Sequence, residues 1–149
     1  MIFVFALLIG VVAGLRAVTP LAAIAIAAYL GWIDFSGTQV AFIGHIVTVI
    51  ILVVLAIVEL VGDQLPNTPS RKVPMQFGAR IVLGALAGAL LPGGWIVGAI
   101  LGAIGAVIGT YGGAEVRASL AKSFGKDRPA GLIEDAVAVI AALLIVYLV

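Results

Sequence analysis

The sequence has no cysteine and few charged residues, and both shortages restrict its chemistry. Without cysteine the chain has no disulfide, no thiolate metal ligand and no thiol nucleophile. Lys, Arg, Asp and Glu together make up 10% of the residues, against about a quarter in a soluble domain. So small a charged surface could not cover a water-soluble globule, and the sequence therefore excludes that class of protein.

Familiar catalytic patterns are also missing. The sequence has one histidine, no His/Asp metal-binding cluster, no nucleophile paired with a base and no phosphate-binding loop. We therefore predict no enzymatic activity and no cofactor, and we assign no metal. An intramembrane enzyme that acts on lipid through carboxylates and arginines is the one enzymatic alternative. The basic residues are scattered, so nucleic acid is not an expected partner.

Hydrophobic residues are what the sequence has in abundance. They form 64% of the chain, and the mean hydropathy is +1.32. This composition predicts a single integral membrane domain over residues 1–149, with the lipid bilayer as its surroundings. Residues 1–14 lack a basic leader and run into more apolar sequence, so we interpret them as mature protein rather than as a signal peptide.

The apolar segments predict an all-α, polytopic membrane helical bundle with 4–5 transmembrane or half-spanning helices. Residues 2–30 are too long for one helix, because 30 residues would extend about 45 Å across a core of about 30 Å. Thr19 as N-cap and Pro20 as first helical residue divide them into a helix ending near Gly14 and a helix over 20–30. Four further segments each predict a spanning helix: 40–61, 76–91, 95–119 and 132–149.

Charged and aromatic residues predict the orientation of these helices. Two loops, 62–75 and 119–131, contain basic residues and lie on one side of the predicted bundle, whereas the opposite turns carry no Lys or Arg. By the positive-inside rule both loops are cytoplasmic. Trp32, Trp95 and Tyr147 fall at the other boundary, where an aromatic belt is expected.

Glycines are concentrated in the middle of the chain. Eleven of the 19 lie between Gly78 and Gly113. They predict close helix packing or a homo-oligomer interface, which we favour, or a glycine-lined passage. The candidate packing residues form overlapping GxxxG pairs: Gly84, Gly88, Gly98, Gly102, Gly105, Gly109 and Gly113.

The predicted topology places eight charged groups in one layer near the cytoplasmic interface. Glu59 and Asp63 share a helix face at i,i+4 and would repel each other unless a cation, a proton or an arginine lay between them. Arg16 and Arg80 are the candidate counter-ions. The remaining members of the layer are Glu115, Arg117, Glu134 and Asp135.

This layer has two interpretations, which the sequence leaves open. It is either a structural set of salt bridges or a site that binds a small ion or solute, with Arg16, Glu59, Asp63, Arg80, Glu115, Glu134 and Asp135 as candidate residues. His45 is interpreted as an interfacial histidine with satisfied hydrogen bonds rather than as a proton relay.

A short motif, G-x-R-x-V, occurs at Gly14 and again at Gly78. Each copy opens an alanine-rich segment that leads through a turn to a helix ending in a glutamate. The motif favours an internal two-helix repeat over residues 14–63 and 78–119, followed by a last helix over 132–149.

Several stretches together resemble a known family. They are Glu59-Leu-Val-Gly-Asp63-Gln-Leu-Pro66-Asn-Thr-Pro69-Ser-Arg71, Ala79-Arg80-Ile-Val, Gly84-Ala-Leu-Ala-Gly88, Gly14-Leu-Arg16 with Thr19-Pro20, Gly109-Thr-Tyr-Gly-Gly113 with Arg117, and Glu134-Asp135-Ala-Val-Ala. The chain resembles, over nearly its whole length, the bacterial membrane proteins of domain-of-unknown-function family 4126. Gln64 stands where that family leads us to expect a lysine. The resemblance implies a multi-pass protein of the bacterial inner membrane and supplies no activity.

Two functions fit these observations. The first is a small transporter or channel for an ion or solute, whose acidic and arginine residues form a site near the cytoplasmic face. The second is a membrane scaffold or lipid-interacting protein in which the same charges are structural pairs and the basic loops contact anionic head groups. We predict the first and keep the second as the alternative.

Overall fold

The computed structural model describes residues 2–62 and 74–149, leaving out the side chains of residues 127 and 128. These residues form six α-helices and one 3-10 turn, and they contain no strand. The all-α prediction is confirmed for this part of the chain. The helices are α1 (Ile2–Leu15), α2 (Thr19–Tyr29), α3 (Ile46–Gly62), α4 (Pro74–Leu90), α5 (Trp95–Phe124) and α6 (Asp127–Leu148), with the 3-10 turn at Ala41–Gly44.

Two of the described helices are long and apolar enough to cross a membrane. They are Trp95–Phe124, with 30 residues, and Pro129–Leu148, with 20 residues. The other four helices are apolar but shorter, between 10 and 17 residues.

The centre of the bundle is the contact of α1, α4 and α5, whose backbones touch where glycines face each other. A Cβ atom on Gly84 would lie 2.8 Å from the carbonyl oxygen of Gly102. One on Gly88 would collide with the carbonyl of Gly98, and one on Gly10 with that of Gly102. Because only a residue without a side chain permits such an approach, these glycines set the distance between the three helices. Gly105 and Gly109 lie equally close to the backbone of α1.

The chain breaks between α1 and α2 at residues 16–18, within the segment where the sequence predicted a division. α1 has 14 residues and α2 has 11, which corresponds to about 21 Å and about 16 Å of helix. One detail of the prediction is wrong. The N-cap of α2 is Val18, and Thr19 is the first helical residue. The Val18 side chain makes no capping hydrogen bond. Pro20 lies in the first turn, where its missing N–H costs nothing.

Several predicted helix boundaries are also wrong. α3 begins at Ile46 rather than at residue 40, because the 3-10 turn Ala41–Gly44 precedes it. The predicted loop 119–131 is mostly helical: α5 continues to Phe124 and α6 begins at Asp127. Gly125 closes α5 with φ +74°, a left-handed conformation that suits glycine. Gly62 and Pro74, which were predicted to lie in a loop, are the last residue of α3 and the first of α4, and residues 63–73 lie outside the described chain.

α3 lies at the periphery of the bundle. It packs on α2 and on the 3-10 turn, and its buried residues are Val49 and Ala56. α2 packs against both α3 and α6. Much of the remaining surface of α3 is exposed and apolar, including Ile50, Val54 and Val61.

Candidate functional site: a charged cluster at the break between α1 and α2

The break between α1 and α2 leaves backbone groups that need partners. The last carbonyls of α1 and the first N–H groups of α2 have no intrahelical hydrogen bond. Away from water each unsatisfied group costs free energy comparable to a lost hydrogen bond. Side chains from α3, α4 and α6 converge here, together with one from α5. We call the set Arg16, Glu59, Arg80, Arg117, Glu134 and Asp135 the charged cluster.

Glu59 of α3 binds the amino-terminal end of α2. Its two carboxylate oxygens accept hydrogen bonds from the backbone N–H groups of Ala17, at 2.8 Å, and Val18, at 3.0 Å. A negative charge at this position also complements the dipole of α2. The sequence predicted Arg16 or Arg80 as the counter-ion of Glu59. In the described residues Glu59 binds backbone N–H groups instead, because the helix break brings α2's free donors to it.

We expect Glu59→Gln to lower the free energy of unfolding by about 0.5–2 kcal/mol, the range for losing a helix N-cap. The amide keeps one acceptor oxygen but presents an NH₂ group to the second backbone donor. Chemical denaturation followed by far-UV circular dichroism measures the change. Glu115→Gln removes an exposed carboxylate of α5 and should change stability by less than about 0.5 kcal/mol. Equal stability of the two variants would contradict the capping role.

Two arginines bind the carboxyl-terminal end of α1. Arg80 of α4 donates from Nη1 to the carbonyl oxygen of Gly14, at 3.1 Å. Arg16 folds back and donates from Nη1 to its neighbour Leu15, at 2.7 Å. Both arginines are buried, with 3% and 0% of their surface exposed. Positive charge at a helix carboxyl terminus is favourable, so the two ends of the break carry opposite charges that each match a helix dipole.

Arg16 also forms an ion pair with α6. Its Nε donates to Oδ1 of Asp135 at 2.6 Å, and its Nη2 contacts the same oxygen. The residue before Asp135 adds a second carboxylate, with Oε1 of Glu134 at 3.5 Å from Arg16 Nη1. The guanidinium therefore joins the α1–α2 break to the first turns of α6.

Glu134 lies between two arginines and beside a cavity. Its Oε2 is 3.4 Å from Nη1 of Arg117, and its Oε1 is 3.5 Å from Arg16, at the long end of hydrogen-bond distances. Glu134 and Arg117 line a cavity of about 290 Å³ between α1, α5 and α6. The other walls are apolar except where Gly109, Gly112 and Gly113 form part of the lining. Glu134 is thus a carboxylate of the cluster that adjoins open space.

Two predicted site residues are not part of the described cluster. Glu115 is exposed and lies away from the cluster, and Asp63 lies outside the described residues. Arg117 was absent from the predicted site, although the sequence contained a signal for it. Gly109, Gly113 and Arg117 follow one another at intervals of four, so they share one face of α5, whereas Glu115 lies about 160–200° around the helix from Gly113 and Arg117.

The opposite end of the bundle has a second polar region and an aromatic pair. Trp32 and Tyr147 pack edge to face with their ring centroids 5.2 Å apart. An open cavity of about 720 Å³ is lined by Asp34, Ser36 and His45, among others. Two hydrogen bonds from Ser36 lower the pKa of Asp34, and the one from its side chain has a larger effect than the one from its backbone N–H. His45 is exposed, and its Nδ1 accepts a hydrogen bond from the N–H of Val47 at 3.1 Å.

The arrangement and charge of the acidic and basic side chains decide which ions the described residues could bind. Within residues 2–62 and 74–149, no group of three or more His, Asp or Glu side chains is arranged to hold a metal ion. The described charged cluster contains three arginines and three carboxylates, Arg16, Arg80, Arg117, Glu59, Glu134 and Asp135, so its formal charges balance.

These features define the class of the protein: an all-α bundle with two helices able to cross a membrane and a buried arginine–carboxylate cluster at a helix break. The chain belongs to the family described as "Domain of unknown function (DUF4126)", whose model matches residues 3–148. The resemblance noted in the sequence is thereby confirmed over nearly the whole chain. No curated protein and no solved structure gives a significant match.

Proposed function

We propose that the protein is a multi-pass protein of the bacterial inner membrane whose charged cluster lies toward the cytoplasm. Exposed apolar side chains on α3, α5 and α6 support a lipid-facing surface, for example Ile50, Ile100 and Ile140. Lys122 and Lys126 follow the cluster-bearing end of α5, which agrees with the positive-inside rule. Trp32 and Tyr147 mark the other end, as an aromatic belt would.

We further propose that the protein is a small transporter or channel for an ion or solute. The observation that carries this proposal is the buried helix break at residues 16–18, whose ends are bound by charged side chains of other helices. Interrupted helices at membrane depth are tolerated where they are buried in protein or line a cavity. In secondary transporters such interruptions form the binding sites for ions and substrates. No enzymatic step is part of this proposal.

Glu134 is the residue proposed to bind the transported or coupled cation or proton. It lines the cavity of about 290 Å³ and lies 3.4 Å from Nη1 of Arg117 and 3.5 Å from Nη1 of Arg16. When Glu134 is neutralised, Arg16 keeps its closer partner Asp135, while the attraction between Arg117 and Glu134 is lost. Neutralisation would therefore loosen α5 from α6 without opening the break between α1 and α2.

Flux through reconstituted vesicles tests the transport function. Purified protein is placed in liposomes, and proton, Na⁺, K⁺ and Cl⁻ gradients are followed with ion-sensitive dyes. We expect flux in at least one gradient, and we expect Glu134→Gln to reduce it to the level of protein-free vesicles. Glu115→Gln, which removes an exposed carboxylate of the same type, should leave flux unchanged. Wild-type flux in the Glu134→Gln variant would contradict the assignment of Glu134.

The alternative function is a membrane scaffold or lipid-interacting protein, in which the charged cluster has a structural role. One observation favours it. Glu59 and Asp135 are held by short hydrogen bonds, and the charges of the described cluster balance. A binding site gains stability from its ligand by mass action, whereas a saturated salt-bridge layer does not respond to ion identity. Thermal unfolding in Na⁺, K⁺ and choline salts at equal ionic strength distinguishes the two: an ion-specific shift favours the transporter, and identical midpoints with no flux favour the scaffold.

A further inference from the structure

The open cavity at the end of the bundle that carries Trp32 and Tyr147 is large enough for a small organic molecule. Its volume is about 720 Å³, within the range of about 300–1,000 Å³ that small-molecule sites have in proteins. Its walls are formed by the end of α2, the turn that follows α2, the 3-10 turn and the residue before α3. The cavity shares no residue with the charged cluster.

Asp34 gives this cavity a negative charge. The two turns at this end of the bundle, residues 30–45 and 91–94, contain no Lys or Arg, and Asp34 is their only carboxylate. Its Oδ1 accepts a hydrogen bond from the N–H of Ser36 at 2.8 Å. Because hydrogen bonds from Ser36 lower the pKa of Asp34, the carboxylate is ionised at neutral pH. A negative charge in a cleft without basic residues attracts cations.

The carboxyl-terminal end of α2 adds to the negative potential. Ala28 lies in the last turn of α2, Gly31 follows the C-cap of that helix, and both line the cavity. The carboxyl terminus of a helix carries the equivalent of about half a negative charge and favours nearby cations. A side chain and a helix end therefore both favour a positively charged ligand.

The other lining residues favour an organic cation over a metal ion. The Nδ1 of His45 accepts a hydrogen bond from the N–H of Val47 at 3.1 Å, so the proton of the neutral ring lies on Nε2. That nitrogen then has no lone pair with which to bind a metal. Phe35 and Phe42 are also among the lining residues, and apolar residues of this kind suit an alkyl group.

We propose that this cavity binds a primary alkylammonium ion, whose N–H groups donate to the Asp34 carboxylate and whose alkyl part contacts Phe35 and Phe42. An ionised carboxylate has about four lone-pair positions, so the hydrogen bonds from Ser36 leave acceptor capacity. A primary ammonium forms charge-assisted hydrogen bonds with a carboxylate, which a quaternary ammonium cannot form. The proposal goes beyond the transport function and depends neither on transport nor on Glu134.

Isothermal titration calorimetry measures this binding. Purified protein in a non-ionic detergent at pH 7 is titrated with n-butylammonium, and in parallel with 1-butanol and with choline. We expect one saturable butylammonium per chain, no saturable binding of butanol and weaker binding of choline. Asp34→Asn keeps an oxygen that accepts the Ser36 N–H but removes the charge. It should weaken butylammonium binding about 10- to 150-fold, the equivalent of one hydrogen bond to a charged group.

Two matched variants serve as controls. Glu115→Gln removes an exposed carboxylate of α5 that does not line the cavity. Phe42→Ala should weaken binding about 3- to 10-fold by removing apolar contact, whereas Phe124→Ala, which removes another exposed ring, should not. The proposal is overturned if Asp34→Asn binds butylammonium as tightly as the wild type, if choline binds as tightly as butylammonium, or if Glu115→Gln weakens binding as much as Asp34→Asn.

A primary ammonium group occurs both in free amines and in the head group of phosphatidylethanolamine. Repeating the butylammonium titration with dioleoylphosphatidylethanolamine in the micelles distinguishes these sources. A lower apparent affinity for butylammonium assigns the cavity to the lipid head group, and an unchanged affinity assigns it to free amines. Because binding is measured without a gradient, its failure is distinguishable from failure of the flux assay.

Discussion

Arg16→Met is expected to lower the free energy of unfolding by about 3–5 kcal/mol, the range for breaking a buried ion pair by removing one partner. Arg16 has 0% of its surface exposed, and it binds both Asp135 and the carbonyl oxygen of Leu15. Methionine fills a similar space but leaves the carboxylate without its closest positive partner. Denaturant titration of the purified protein in detergent, followed by far-UV circular dichroism, measures the loss.

The double variant Arg16→Met/Asp135→Leu separates the loss of the charge pair from the loss of packing. When both partners are replaced by apolar residues, the cost of an unpaired buried charge disappears. We therefore expect the double variant to be more stable than Arg16→Met alone. A double variant that is less stable than the single one would show that Asp135 is stabilised by other groups and that Arg16 acts through its contact with α1.

Gly102→Ala is expected to cost about 1–3 kcal/mol, although alanine is the better helix former. A Cβ atom at residue 102 would collide with the carbonyl oxygen of Gly84 and lie 3.2 Å from the Cα atom of Gly88. Both obstacles belong to backbone, so α4 and α5 must move apart, and overpacking of this kind typically costs 1–3 kcal/mol, to within about a factor of two. The midpoint of thermal unfolding reports the change.

Gly112→Ala provides the matched control on the same helix. No atom lies within 4 Å of a Cβ placed at Gly112. Because alanine is favoured over glycine in a helix by about 1 kcal/mol, this variant should be as stable as the wild type or more stable. The two substitutions are chemically identical and are predicted to have opposite signs. A similar midpoint for both would mean that α4 can move away from α5 at little cost.

Local features of the chain could be predicted from the sequence. The segment from Gly14 to Pro20 indicated a helix break because glycine and proline interrupt regular structure. Long continuous apolar segments predicted an all-α bundle, since a helix satisfies its backbone hydrogen bonds within one segment. Helix ends were predicted less well. Residues 120–124 were predicted to lie in a loop but belong to α5, because an α-helix can continue past the segment that a membrane core requires.

The pairing of the charges could not be predicted in the same way. The sequence predicted Arg16 and Arg80 as counter-ions of Glu59 and of Asp63, which lies outside the described residues. In the structure the partner of Arg16 is Asp135, 119 residues away, and Glu59 binds α2's backbone. Partner choice depends on which helices are neighbours, and helix periodicity does not determine that. The place of Arg117, in contrast, could have been predicted. It follows Gly113 by four residues, and this spacing puts both on the same face of α5.

The separation of Arg16 from Asp135 also sets the order in which the molecule is completed during translation. At about 5–20 residues per second, α6 emerges about 6–24 s after Arg16. Early in this interval the synthesis of α1 and α2 is completed, but the α6 carboxylates that bind Arg16 have not yet been synthesised. The ion pair between Arg16 and Asp135 therefore forms only after the last helix has been made. A nascent chain that stops before α6 holds Arg16 without Asp135 and Glu134.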